Sequence, residues 1–262
     1  MMKKLFSLVI CVMAVLFVGC EPNAPEVIGV FSVSETKQVT FSKGNLQYHS
    51  ANNVWRFAGK QWECIDYSSA DTHKGWSDLF GWSTFGTSAP TDEGIYTGSF
   101  VDWGTKAIGN DAPNMWRTMT YDEWSYLLAT RPNASSLKGV AQVNGVNGLI
   151  LLPDNWICPA GIAFKSGFHS DSGVDYYATY QTFTAKQWLK FETAGAVFLP
   201  ACIYRFGNTD SGMIIMQMNG GYWSSTKEDD HFARCLFFSP MEASMLSFIK
   251  YKGLSVRLVK DL

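Results

Sequence analysis

Polar and apolar positions alternate with different periods along this chain, and the changes of period divide it. Residues 5–18 are 14 consecutive uncharged, mostly apolar positions behind Lys3 and Lys4. A bilayer span needs about 20 such residues, so this run is too short to cross one. A positive start, an apolar middle and a small residue at Gly19 give the layout of a secretory leader. From residue 28 the pattern shortens to β-prone runs at 28–34, 38–41, 45–49 and 54–58, broken by Ser, Lys-Gly and Ala-Asn-Asn. Such runs predict an N-terminal antiparallel meander over 28–58. Residues 59–115 lose all period but stay rich in Gly, Ser, Asp, Thr and Trp. That composition predicts long packed loops, with Trp76, Phe80, Trp82, Phe85 and Trp103 as pins to the core.

Helical spacing then returns twice. Thr120 and Glu123 stand at capping-box distance, and Trp124, Leu127 and Leu128 follow on one face, with Pro132 beyond the end. Thr184 and Gln187 repeat the device, with Trp188 and Phe191 as the inward side and Gly195 as a C-terminal cap. Between these helices, runs at 140–143 and 149–152 flank Asn144-Gly145 and Asn147-Gly148, pairs that favour left-handed hairpin turns. Runs at 196–199, 202–205, 213–218, 222–225, 233–238, 245–250 and 255–259 predict strands to the end. In the last, Val256 and Leu258 alternate with Arg257 and Lys260. Two helices among many short strands predict an α+β fold. Trp55, Trp124, Trp156 and Trp188 sit in periodic contexts and are expected in the core.

Composition narrows the function. The 262 residues carry 21 Lys and Arg against 23 Asp and Glu. Without residues 1–19 the basic count falls to 19 of 243 residues, a net charge of −4. No basic stripe exists, which argues against nucleic acid as a partner. His49, His73, His169 and His231 are scattered and form no HExxH or HxH pair. There is no GxSxG elbow and no phosphate-cradling glycine loop. We therefore expect no catalytic residue, no metal and no cofactor. Glu21-Pro22-Asn23 matches the tripeptide with which calcium-dependent lectins hold mannose, but a tether offers no cage of six to eight oxygens. Of six cysteines, Cys64, Cys158, Cys202 and Cys235 are open to pairing. Export permits disulfides, but no framework spacing appears, and the favoured expectation is four small buried hydrophobes.

Two resemblances extend this reading. Phe17-Val18-Gly19-Cys20 resembles the lipobox of bacterial lipoproteins. It implies a signal peptide at 1–19, cleavage before Cys20, lipid on Cys20 and a lipidated tether over 20–27. The membrane would then be held through lipid, with localisation to the cell envelope on the outer membrane, facing either the periplasm or the cell surface. Trp116-Arg117-Thr118-Met119-Thr120-Tyr121-Asp122-Glu123-Trp124-Ser125-Tyr126 resembles the Arg-Leu-Pro-Thr-x-x-Glu-Trp-x-Tyr segment of formylglycine-generating-enzyme-like domains, a variant of the C-type-lectin fold. Gly221-Tyr222-Trp223-Ser224-Ser225-Thr226, Ala233-Arg234, Phe237-Phe238 and residues 253–259 resemble FISUMP-type domains of bacterial lipoproteins. The likeness covers roughly residues 38–260. It implies one C-type-lectin-like domain over 28–262, with two main helices, many short antiparallel strands and long packed loops. The family's copper-dependent oxidases use a close cysteine pair, which Cys202 and Cys235 do not form in sequence.

The resemblance puts 222–231 and 239–251 on adjoining connections over one sheet. A rigid frame with variable loops is a common way to build a binding site. The candidate ligand contacts are Tyr222, Asp229, Asp230, His231, Arg234 and Tyr251. The expected function is recognition of a glycan or a protein by a membrane-anchored lipoprotein, a loop-diversified receptor being a subset of that class. Its rivals are a structural envelope or pilus-associated subunit and a formylglycine-generating-type oxidase.

Overall fold

The computed structural model describes residues 29–67, 70–84, 96–170, 176–202, 204–205, 213–214 and 218–262. The leader, Cys20, the tether and Phe85 lie outside these. The described residues form an α+β structure of small, mostly antiparallel sheets with few helices.

The expected meander is in fact two hairpins in two sheets. β1 (Phe31–Ser32) and β2 (Gln38–Phe41) pair with each other, and β2 also pairs with the C-terminal β15 (Val259–Asp261). β3 (Leu46–His49) pairs with β4 (Val54–Phe57) on one side and β5 (Trp76–Ser77) on the other. The loop-rich stretch that follows carries a short helix α1 (Ala70–His73) and a 3-10 turn at Trp103–Thr105. Of its expected pins, Phe80, Trp82 and Trp103 are fully buried, while Trp76 is half-exposed.

α2 (Tyr121–Ser125) starts at Thr120 with both capping-box bonds present and runs on as a π-turn through Tyr126–Thr130. Trp124, Leu127 and Leu128 are its buried face. β6 (Lys138–Val143) and β7 (Val146–Leu151) form a hairpin closed by Asn144-Gly145, both at positive φ. Asn147-Gly148 lies inside β7, not in a turn. A helix α3 (Tyr176–Tyr180) leads to β8 (Thr182–Phe183), which pairs parallel with β6. α4 (Ala185–Thr193) has the second capping box at Thr184 and Gln187, and Gly195 follows it at φ +88°. β9 (Val197–Pro200) then pairs with β7. β10 (Tyr204–Arg205) and β11 (Met213–Ile214) form a ribbon. The last sheet is β12 (Gly220–Lys227), β13 (Phe232–Phe238) and β14 (Ala243–Ile249), with β13 central.

Three hydrophobic clusters fill the interior. One sits between α2, the β12–β13 face carrying Tyr222 and Leu236, and the inner side of β2. A second, rich in tryptophan, joins β3 and β4 to the opposite face carrying Trp223 and Cys235. The third packs α4 on the β6–β7–β9 sheet through Trp188, Phe191 and Phe198. Trp55, Trp124 and Trp188 are buried as expected, and Trp156 is half-buried against α4. Among the described residues no helix is long and apolar enough to cross a membrane.

The cysteine expectation needs correction. Cys64 and Cys202 form a disulfide, Cys158 is free and exposed, and only Cys235 is a free buried thiol. The partners are 138 positions apart, so no spacing rule could have paired them.

Candidate functional site

The two turns of the β12–β13–β14 sheet lie at opposite ends. Phe232 pairs with Ile249, and Phe238 pairs with Ala243. The 228–231 turn is therefore beside the end of β14, where Lys250 N–H donates to His231 O at 2.9 Å. The turn after Phe238 is a strand length away. Only the tail of 239–251, at Tyr251, joins the 228–231 tip, and the single platform expected from the sequence is not formed.

Tyr222 must also be withdrawn as a surface contact. Its side chain is fully buried on the sheet face that packs against α2. Its hydroxyl donates to Pro200 O at 2.9 Å and accepts from Asn45 Nδ2 at 3.2 Å. Burial pushes the phenol well above its usual range. The signal that marked it, an aromatic in a Gly-Tyr-Trp-Ser run, was a core signal.

The remaining tip residues largely satisfy one another. Asp229 Oδ1 accepts from the backbone N–H groups of Phe232 and His231, each at 2.7 Å. Those bonds hold its carboxyl below the usual range and make it the former of the turn. Asp230 takes Lys227 Nζ at 2.6 Å. Arg234 pairs with Glu228 at 3.0 Å and lies 5.2 Å from the centre of the Tyr121 ring. His231 is exposed and Tyr251 half-buried.

A concave site lies elsewhere. A groove of about 630 Å³ runs between β4, the 108–116 segment and the end of α4. Trp116 and Phe57 meet edge to face at 5.1 Å on its wall. Trp116 is half-buried, and its indole N–H donates to Asp111 Oδ2 at 2.9 Å, so the ring is fixed but not covered. Its backbone is seated by Gly104, where a Cβ would fall 1.7 Å from Trp116 O. Asp102 ties the same turn to Thr118, two residues past Trp116, accepting from Gly104 N at 2.9 Å and Thr118 N at 2.9 Å.

The floor is held from below. Gln61, which lines the groove, donates to Glu192 Oε1 at 3.0 Å and accepts from Phe198 N at 2.6 Å and Arg257 Nη2 at 3.1 Å. Arg257 is buried rather than outward-facing, and desolvation lowers its guanidinium to about 10. It also reaches Asn45 Oδ1 at 3.4 Å. Asn45 in turn lies 3.7 Å from the sulfur of Cys202, placing the disulfide within this buried polar network. The network is not complete, because Arg257 Nε is buried without a hydrogen-bond partner among the described residues.

Sequence reasoning missed the groove because its walls come from segments far apart in the chain, from β2 and β4 through the 108–116 segment and the end of α4 to Lys260 of β15. In the sequence Trp116 belongs only to a fold motif, and Arg56 is only the polar member of an alternating strand. Among the described residues no cluster of three or more His, Cys, Asp or Glu is placed to hold a metal. No family model, curated protein or solved structure matches the chain.

Proposed function

We propose that this chain is a lipoprotein of the cell envelope, anchored through lipid on Cys20, whose C-type-lectin-like domain recognises a glycan in the groove beside β4. The fixed, half-buried Trp116 carries this reading. A sugar has an apolar C–H face and a polar edge, and a clamped indole among hydrogen-bonding groups suits both. The lectin-like assignment draws support from the meeting of the two halves of the sequence resemblance, since α2 packs on β12, β13 and β14. An oxidase role is disfavoured. Cys202 is tied to Cys64, and burial pushes the Cys235 thiol up to about 12, far from a reactive thiolate.

The structural-subunit reading has one observation in its favour. Among the described residues β14 has no strand on its outer side, and its seven residues Ala243–Ile249 contain no charge or proline. Natural edge strands usually carry such blunting devices, and a bare edge accepts an added strand.

The test is a glycan array probed with the purified protein, followed by titration of any hit. Trp116→Ala should weaken binding at least about thirtyfold, the loss typical of an aromatic anchor, while Tyr251→Ala leaves it unchanged. Binding indifferent to Trp116→Ala and lost in Tyr251→Ala would return the site to the hairpin tip. A chain that binds no glycan and purifies as strand-linked oligomers would favour the subunit. Release of the protein from membranes by Cys20→Ala checks the anchor.

A further inference from the structure

We propose that the Cys64–Cys202 disulfide is a thiol-exchange site, opened by a small thiol that enters a second pocket and attacks Cys64. The site is independent of what the groove beside β4 binds. Its pocket, about 440 Å³, is lined by both members of the disulfide together with Trp62, Ile65, Val146 and Ala201. Cys64 is partly exposed, and Cys202 is buried. A bridge that lines a pocket differs from one enclosed in a core, because exchange needs a thiolate to reach one of the two sulfurs.

The two sulfurs have unequal surroundings. Asn45 Nδ2 donates to Cys202 Sγ at 3.7 Å, and Asn45 Oδ1 accepts from the buried Arg257 Nη1 at 3.4 Å. Among the described residues no donor is bonded to Cys64 Sγ. A thiolate leaving at Cys202 therefore meets an N–H whose amide is polarised by a cation. The better-stabilised thiolate leaves faster, which directs attack to Cys64. Cys235 is the contrast within the same chain, since desolvation pushes its thiol up to about 12.

The exchange has two steps. The thiolate of the small thiol attacks Cys64 Sγ. A new S–S bond forms, the Cys64–Cys202 bond breaks, and its electron pair stays on Cys202 Sγ. A second small thiol, or the second sulfur of a dithiol, then attacks the incoming sulfur, and Cys64 leaves as thiolate. The bridge gains two electrons, the small thiols lose two and depart as their own disulfide, and their two protons pass to the freed cysteines. Other bonds hold the chain on both sides of Cys64. Gln61 Oε1 accepts from Phe198 N at 2.6 Å, the Ile65 N–H donates to Asp78 Oδ2 at 2.9 Å, and the Tyr67 hydroxyl donates to Asp78 Oδ1 at 2.8 Å. The two thiols thus stay close enough to pair again.

The experiment treats the native protein with dithiothreitol, alkylates it with N-ethylmaleimide and maps the labelled peptides. Cys158, free and exposed, labels from the start, while Cys235, free and buried, labels only when the fold opens. Dithiothreitol should make Cys64 and Cys202 reactive while Cys235 stays unlabelled. Labelling of Cys64 and Cys202 only in step with Cys235 would overturn the proposal, because the bridge would then be reached through unfolding alone. The direction of attack is read in Cys202→Ser and Cys64→Ser, each carrying Cys158→Ser and treated with oxidised glutathione. Cys64 should take up glutathione at least about tenfold faster than Cys202. Equal rates, with Cys235 protected in both, would overturn the assignment of Cys64 as the attacked sulfur. Asn45→Ala should slow reduction by dithiothreitol at least about threefold, since it removes the donor to the leaving sulfur. An unchanged rate would remove Asn45 from the exchange, and if that variant labels Cys235 and so fails to fold, the glutathione comparison still decides the direction.

Discussion

Asp78 is a buried carboxyl that faces no cation among the described residues. Among the described residues its partners are the Ile65 N–H at 2.9 Å and the Tyr67 hydroxyl at 2.8 Å. Desolvation outweighs both bonds and raises its pKa from 3.8 to about 6. The sign of the consequence is fixed by that direction. Between pH 4 and 6 the folded carboxyl keeps a proton that the unfolded one releases, so folding loses stability as pH rises through this window. Two units correspond to about 3 kcal/mol. Asp78→Asn removes the titration, so denaturant midpoints of wild type and variant should converge or cross as pH falls from 7 to 4.5. Parallel curves would show that Asp78 does not titrate there. Residues of this kind are illegible in the sequence. Strand alternation marks two faces of a strand, not whether both are covered. Arg257 stands between Val256 and Leu258 like an outward residue, yet all three are buried. Tyr222 looks like a surface aromatic for the same reason.

Short local devices are legible, because their partners lie within four residues. Both capping boxes form as their spacing dictates. Asn144-Gly145 makes its turn with φ of +49° and +82°. Asn147-Gly148 has the same letters and a different role. A Cβ at Gly148 would meet the Phe198 ring at 2.4 Å, so this glycine serves close packing between β7 and β9. The cap at Thr120 also does more than start a helix. Its Glu123 binds Arg117 through both oxygens, at 2.7 and 2.8 Å, and Arg117 holds Asp261 of β15. Thr120→Ala should therefore cost at least the ~1 kcal/mol typical of a lost cap. Thr184→Ala, on the largely exposed start of α4, should cost no more than that. Equilibrium unfolding of the two variants compares them directly, and an equal loss would show that the Arg117 link adds nothing to the Thr120 cap.

Strand assignments from the sequence are mostly near the mark, but the partners of those strands are not legible. β2 finds β15 across more than two hundred residues, and β3 turns away to β5. Such pairings depend on which faces are left uncovered once local hairpins exist, and no local pattern records that. The groove inherits the same difficulty, being assembled from β2, β4, the 108–116 segment, the end of α4 and Lys260 of β15. The disulfide is the covalent form of this long-range order. It joins Cys64, before β5, to Cys202, just after β9, and sits in the polar network under Gln61. A cross-link spanning 138 positions restricts the unfolded chain strongly. The chain-entropy account gives about 5 kcal/mol for a loop of that size, an upper figure because denatured chains keep residual structure. Replacing both cysteines with alanine should thus lower the unfolding midpoint by several degrees or more. It should also steepen the dependence on denaturant, because the freed unfolded chain exposes more surface. If the midpoint falls while the slope stays the same, the bond acts on the native network around Asn45 and Arg257 and not on the unfolded chain. Titration of a glycan found on the array against that variant then separates the two effects. A ligand affinity kept at low temperature would mean that the groove floor survives without its covalent tie.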